Sequence, residues 1–413
     1  MPPRLSSDFP TEYTMSNPLS PSVQALAARV RQFVIDEIFP LEIEYRAQMT
    51  HHHHGPSDEL RSELIRRARA AGLVAPHLPK ELGGHGLTHR EQAAVFKAAG
   101  YAPLACIALN IMAPDEGNMH LLHKVGSKEQ QDRFLKPLAA GGTRSAFLMT
   151  EPDGGAGSDP GMMKTMAVRD GDDWVISGRK TFITGAHGSA FGIIMSRTEH
   201  SATMFLADMK TPGIRIERVL DTIDSSMPGG HAIIVLDKVR VPKDQILGEL
   251  DEGFRYAQVR LAPARLTHCM RWWGAAERAN DVAAEFSTKR MAFGKALVDH
   301  EGVGFMLADN LIDLKQSELL IDWCADVLDS GQQGGTESSM AKTAVSEALF
   351  RVADRCVQIL GGIGISGDTI VEQVFREIRA FRIYDGPSEV HRWSLAKRVK
   401  KTPSYGAILG GGH

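Results

Sequence analysis

The chain has 413 residues, 43% hydrophobic and 23% charged, with 47 Lys and Arg against 50 Asp and Glu. That length fits one large or two to three ordinary globular domains, and a net charge of −3 excludes a strongly basic nucleic-acid binder as the default. No apolar run is long enough to span a bilayer, and Cys106, Cys269, Cys324 and Cys356 are scattered with no CxxC pair. A disulfide framework or zinc ribbon is therefore not expected, and the cysteine usage fits a reducing, cytoplasmic location.

Residues 1–20 are rich in Pro, Ser and Asn and lack the apolar centre of a secretory signal, while Asp8 and Glu12 disfavour a transit peptide. They read as a loose tail. From Ser22 the apolar residues Val23, Leu26, Val30, Phe33 and Val34 recur on one helical face, and Pro40 is expected to stop the run. His51–His54 invites a metal reading, but adjacent histidines on a loop cannot readily surround one ion, so a solvated loop is expected. A second helix fits Glu59 to Ala71, closed by Gly72. LPKELGGHGL (Leu78 to Leu87) is a glycine-broken loop, a helix follows it, and another opens at Ser127 and runs toward Leu138.

Near Phe147 the period changes to two. Short apolar runs alternate with turn signals up to Leu247: KTMAV, DWVIS, KTFIT, FGIIMSR, TMFLADM, IRIERV and AIIVLDKVRV, with Gly178 read as a break between the second and third. These are strands of a small barrel or sandwich. From Gly253 the helical period returns, reaching Arg290, then covering Gly302 to Leu328. A further stripe includes Ala341, Val345, Leu349, Val352 and Cys356. The fold class is therefore mixed α and β: an N-terminal helical domain (21–145), a middle β domain (146–247) and a C-terminal four-helix bundle (248–402), flanked by tails at 1–20 and 403–413. Gly362–Gly367 matches GxGxxG, but it follows a helical stripe rather than a strand, so no dinucleotide site is expected there.

Several stretches carry potential chemistry. In FLMTEPDGGAGSDPG (Phe147 to Gly161) the glycines expose backbone N–H groups, and Thr150 and Ser158 add hydroxyls. Phe182-Ile183-Thr184 ends a strand, placing an aromatic and a hydrogen bonder on one face, which suits a planar heterocycle. Arg290 and Phe293 lie near a helix end. Gln358 to Gly362 is a helix end with glycine-exposed backbone. Asp385 precedes Gly386 and Pro387, where a capping role and a chemical one are both open.

Taken in order, LPKELGGHGL, MTEP…GAGSD, SGRKTFITGA, VRVPKDQILGELDEGF, KRMAFGK, QILGGIGI and RIYDGPSEV resemble the acyl-CoA dehydrogenase family over roughly residues 60 to 400. RLTHCMRW and DGPSEVH most resemble the branch whose animal members carry a phosphotransferase-like kinase domain, for which the stretch before Ser22 leaves no room. The resemblance implies FAD, a homo-oligomer (dimer or tetramer), an acyl-CoA substrate, electron-transfer flavoprotein as partner, and a role in fatty acid oxidation. By position, Met149, Thr150, Ser158, Phe182, Ile183, Thr184, Arg290, Phe293, His300, Gln358, Gly361, Gly362, Pro387 and Glu389 would contact the cofactor. Arg290, Phe293 and the Gln358 to Gly362 turn would serve a neighbouring subunit. Ser158, Arg265, Tyr384 and Gly386 would contact substrate.

Asp385 stands where most members place the glutamate that removes the substrate α-proton. The alternative position, one residue before Arg265, holds Ala264. The chain departs from the pattern in a longer TEP loop, in Pro387 and Glu389, and in Glu301 after His300. Two other readings are a flavin oxidase on the same fold, since nitroalkane oxidases of the superfamily use an aspartate base, and a non-enzymatic nucleic-acid binder, which the charge disfavours.

Overall fold

The computed structural model describes residues 18–48, 54–405 and 408. The first two helices, α1 (Pro21–Phe33) and α2 (Phe39–Gln48), are joined by a π turn over Val34–Ile38. Pro40 therefore does not end the helix. It lacks an N–H and would crowd the carbonyl four residues back; the wider turn removes that demand, with the Phe39 N–H reaching the Val34 carbonyl instead. Of the histidine run, His51–His53 lie outside the described residues.

Ser57 caps α3 (Asp58–Ala70), and Gly72 leaves it at φ 68°. A capping box of Thr88 and Glu91 starts α4 (His89–Gly100), followed by α5 (Pro103–Ala108) and α6 (Asp115–Val125). A second box, Ser127 with Gln130, starts α7 (Lys128–Gln130), and a π turn at Gln131–Leu135 leads into α8 (Lys136–Ala139), again just ahead of a proline, Pro137.

The middle region is one curled seven-stranded sheet: β1 (Ser145–Leu148), β2 (Met166–Asp170), β3 (Asp173–Thr184), β4 (Phe191–Arg197), β5 (Ala202–Asp208), β6 (Ile214–Leu220) and β7 (His231–Pro242). Strand β5 lines one edge of β4; the other edge takes β1 in parallel and the start of β2, and the sheet continues through β3, β7 and β6. Gly178 does not split β3. It sits at a bulge where a Cβ would fall 2.3 Å from Thr165 Oγ1, so the strand runs on but admits no side chain there.

The C-terminal bundle consists of α9 (Gly253–Lys289), α10 (Glu301–Asp329), α11 (Gly335–Leu360) and α12 (Ile370–Phe381), with α13 (Ser388–Lys401) beyond. A tight hairpin, β8 (Met291–Ala292) and β9 (Lys295–Ala296), links α9 to α10. The GxGxxG segment follows α11 and forms a short 3-10 turn with no strand before it. Helix α4 crosses α9 at contact distance: a Cβ on Gly100 would meet the Arg271 carbonyl at 2.1 Å, and one on Gly274 the Lys97 carbonyl at 2.2 Å. This crossing fuses the N-terminal helices and the bundle into one hydrophobic core and fixes the stretch of α9 that carries the site.

Candidate active site

Asp385 lies in the loop between α12 and α13 at φ 52°, a left-handed conformation that aspartate tolerates better than most residues. The N-cap of α13 is Pro387, which makes no side-chain capping bond, so Asp385 does not cap the helix. Pro387 itself sits one position outside the helix. The loop is held by its main chain: Arg265 Nε donates to the Asp385 carbonyl at 3.0 Å, His391 Nε2 lies 3.1 Å from the same oxygen, and Lys342 Nζ donates to the Gly386 carbonyl at 2.8 Å.

The Asp385 side chain faces α9. Its Oδ2 is 3.2 Å from His268 Nε2. Burial pushes the Asp385 carboxyl up, but His268 and the charges of Arg260 and Arg265 together outweigh it and hold the group well below the ordinary carboxylate range. His268 is pushed down to about 4, by burial first and then by Arg271. Arg260 is buried, donates to Asn118 Oδ1 at 2.8 Å and covers the Phe147 ring at 4.2 Å. Glu116, also buried, accepts from Thr267 Oγ1 at 2.9 Å and is raised by its burial. Tyr384 accepts from Trp272 Nε1 at 2.5 Å.

The β domain brings a second set of groups to the same region. Thr181 N–H donates to the Thr150 carbonyl at 2.9 Å, joining the glycine-rich loop to the end of β3. The Thr150 hydroxyl returns a bond to the Thr181 carbonyl. Behind the loop, Lys180 and Glu151 form a fully buried pair at 2.9 Å, and Glu151 also accepts the N–H groups of Lys164 and Thr165, the latter at 2.9 Å. Phe182 is 61% exposed and at φ 54°, an unfavourable conformation for an aromatic residue, held by the bulge in β3. Thr184 Oγ1 lies 2.9 Å from His231 Nδ1, whose Nε2 is 2.8 Å from Asp224 Oδ2. The next residues, Ser225 and Ser226, donate to Glu377 of α12 at 2.7 and 2.8 Å. The strand end carrying Thr184 is thus tied to the helix that leads into Tyr384 and Asp385.

Residues 20–142, 146–237 and 251–400 match, in turn, the acyl-CoA dehydrogenase N-terminal, middle and C-terminal domains. The chain belongs to the acyl-CoA dehydrogenase family. It is 36% identical over 386 residues to a probable acyl-CoA dehydrogenase, FadE2, of Mycobacterium tuberculosis, covering 89% of this chain and 93% of that one. It is 35% identical over 406 residues to acyl-CoA dehydrogenase family member 11 of Gallus gallus, covering 92% of this chain but about half, 51%, of that protein. A solved putative acyl-CoA dehydrogenase from Mycobacterium abscessus superposes with a TM-score of 0.87 at 37% identity, covering 94% of this chain and all of that one. Butyryl-CoA dehydrogenase from Megasphaera elsdenii gives 0.82 at 25% identity, with 94% and 100% covered.

Within this member of the family, Met149, Thr150, Phe182, Thr184, Arg265, Tyr384, Asp385, Gly386 and Pro387 belong to elements that these bonds tie together. Ile183 is turned into the sheet core, which leaves only its main chain available to a ligand. Ser158 and Glu389 are exposed. A second group gathers at the far ends of bundle helices: Arg290 at the end of α9, Phe293 and His300 in and after the hairpin, and Gln358, Gly361 and Gly362 at the end of α11. His300 Nε2 lies 3.0 Å from the Ala292 carbonyl and braces the hairpin, while Phe293 is 97% exposed. Among the described residues no hydrogen bond or ring contact joins this group to the first.

The sequence reading missed His268, Arg260, Arg271 and Lys342. A signal was present for two of them: Arg265, His268 and Arg271 recur at a spacing of three, on one face of α9. Lys342 was hidden because it interrupts an otherwise apolar helical stripe.

Proposed function

We propose that the protein catalyses the FAD-dependent α,β-dehydrogenation of an acyl-CoA thioester to the trans-2-enoyl-CoA and passes the electrons to electron-transfer flavoprotein. The observation that carries this reading is the Asp385 carboxylate: it caps no helix, is kept ionised among Arg260 and Arg265, and sits on a loop whose main chain is clamped by three donors. A positioned, ionised carboxylate is what removal of a weakly acidic α-proton requires.

The donor set fits a flavin. Phe182 offers a flat, open face, Thr184 a hydroxyl, and Gly157, Gly361 and Gly362 leave open space where a Cβ would stand. In this reading Met149, Thr150, Ser158, Phe182, Thr184 and the Ile183 main chain hold the cofactor of their own subunit. Arg290, Phe293, His300, Gln358, Gly361 and Gly362 meet that of a neighbour, and Pro387 and Glu389 border the site. FAD, when bound, supplies the hydride acceptor. The chain's own contribution is to bind the thioester through Ser158, Arg265, Tyr384 and Gly386, and to take the α-proton on Asp385.

Anaerobic titration of the purified yellow protein with butyryl-, isobutyryl-, octanoyl- and palmitoyl-CoA tests the reading: at least one should bleach the flavin. Reoxidation by electron-transfer flavoprotein rather than by air is expected. A protein that stays colourless after incubation with FAD, or a flavin that none of the thioesters bleaches, would overturn it.

A further inference from the structure

The His268 ring is buried. It is 4% exposed, packs 4.9 Å from the Tyr384 ring and 5.8 Å from the Phe381 ring, and has polar partners at both nitrogens. At Nδ1 the partner is Arg271 Nη2, 3.0 Å away. A guanidinium only donates, so Nδ1 must accept, and the ring proton of the neutral imidazole must reside on Nε2. That nitrogen faces Asp385 Oδ2 at 3.2 Å. Arg271 is itself fixed by donating through Nη1 to the Ile111 carbonyl at 2.7 Å, at the crossing of α4 and α9. The tautomer is therefore dictated by a buried arginine held on the opposite side from the carboxylate.

We propose that His268 is a positioning residue for the base: its Nε2–H holds Oδ2 of Asp385, leaving Oδ1 as the atom that takes the substrate proton. This rests on the reading of Asp385 given above. Two consequences separate it from a relay. His268 cannot pass the proton onward, because Nε2 already carries one and Nδ1 is committed to Arg271; the abstracted proton stays on Asp385 until product leaves. The anchor also answers the length problem. Aspartate is one methylene shorter than the glutamate usual here, and three donors fix its main chain while His268 fixes its side chain. Without the anchor the carboxylate can rotate away.

The groups facing this pair are Arg260, Arg265 and Arg271 from α9, Glu116 from α6, Lys342 from α11, His391 from α13 and Tyr384. Burial pushes the Asp385 carboxyl up and His268 opposes it. Loss of the Nε2–H donor therefore moves the carboxyl upward, and the acid limb of the reaction with it.

The experiment measures the rate of flavin bleaching against pH for the holoenzyme, using whichever of the four acyl-CoAs above bleaches the parent fastest. In His268→Leu an acid limb absent from the parent's assayable pH range should rise into it, toward the ordinary carboxylate range, and the plateau rate should fall several-fold. His268→Gln, which keeps an N–H donor, should restore the parental limb. His268→Asn, whose amide is too short to reach, must show the same rise and serves if the leucine variant yields no flavin-loaded enzyme. Parental limbs in the leucine and asparagine variants, beside an inert Asp385→Asn, would overturn the role of His268 alone. An Asp385→Asn enzyme bleached at the parental rate would overturn the reading of Asp385 and this one with it.

Discussion

At Asp385 the structure separates two variants that the sequence treats as close. Asn adopts the left-handed conformation as readily as Asp, so Asp385→Asn should fold and bind FAD, with a lower melting temperature at neutral pH because the depressed carboxylate stabilises the native state there. Flavin reduction by acyl-CoA should fall at least about a hundredfold, measured by anaerobic stopped flow. Asp385→Glu restores the carboxylate but places a longer, less tolerant residue at φ 52°. It should keep more activity than Asn while lowering the melting temperature by a few degrees. Asp385 was legible because its loop has a recognisable sequence; His268 was not, because its meaning comes from Arg271 and from a loop more than a hundred residues away. A lone buried histidine looks the same in sequence whether it is packing or steering a carboxylate.

Among the elements, the helix start at Ser127 was readable from a local signal, the Ser127–Gln130 box, while Ser57 and the Thr88–Glu91 box are signals of the same kind that went unused. Pro40 and Gly178 misled because each is accommodated by a local irregularity, a π turn and a bulge, so that neither breaks its element. Two predictions belong at this scale. Lys180 and Glu151 are a buried pair behind the glycine-rich loop, so Lys180→Met strands a buried carboxylate and should cost about 3–5 kcal/mol in urea unfolding. Glu377 bridges α12 to the loop before β7, and burial, followed by the charge of Asp224, pushes it up to about 7. The native state therefore binds a proton there more tightly than the unfolded chain does. That stabilisation is complete below the ordinary carboxylate range and is lost as pH rises through about 7. Glu377→Gln should remove this dependence, so the gap in melting temperature between variant and parent should widen in the variant's favour from pH 5 to pH 8.

For the molecule as a whole, the order of helical, β and helical regions followed from periodicity alone, but the surface that seeks a partner did not. Phe305, Ile312 and Leu319 stand exposed at intervals of seven along α10, and Phe293 projects from the hairpin with almost no cover. An apolar stripe of this kind marks an interaction surface, and in the proposed homo-oligomer it would lie between subunits. Ile312→Glu should shift sedimentation toward monomers. Because Arg290 and Phe293 are proposed to serve a neighbour's cofactor, the same variant should also lose its yellow colour on gel filtration. Dissociation with full FAD occupancy would show that each subunit holds its flavin unaided.

The two π turns leave a mark that can be read in other chains. Each holds one residue more than the α turn it replaces, and each is followed, two positions on, by a proline, Pro40 or Pro137. Proline and surplus residue are thus a matched insertion, neither comfortable without the other. Among relatives, a chain with Ala or Leu in place of Pro40 should be one residue shorter between its helix cap and that position. Alignments of this family should open their gap at Val34–Ile38 rather than in the loop that follows.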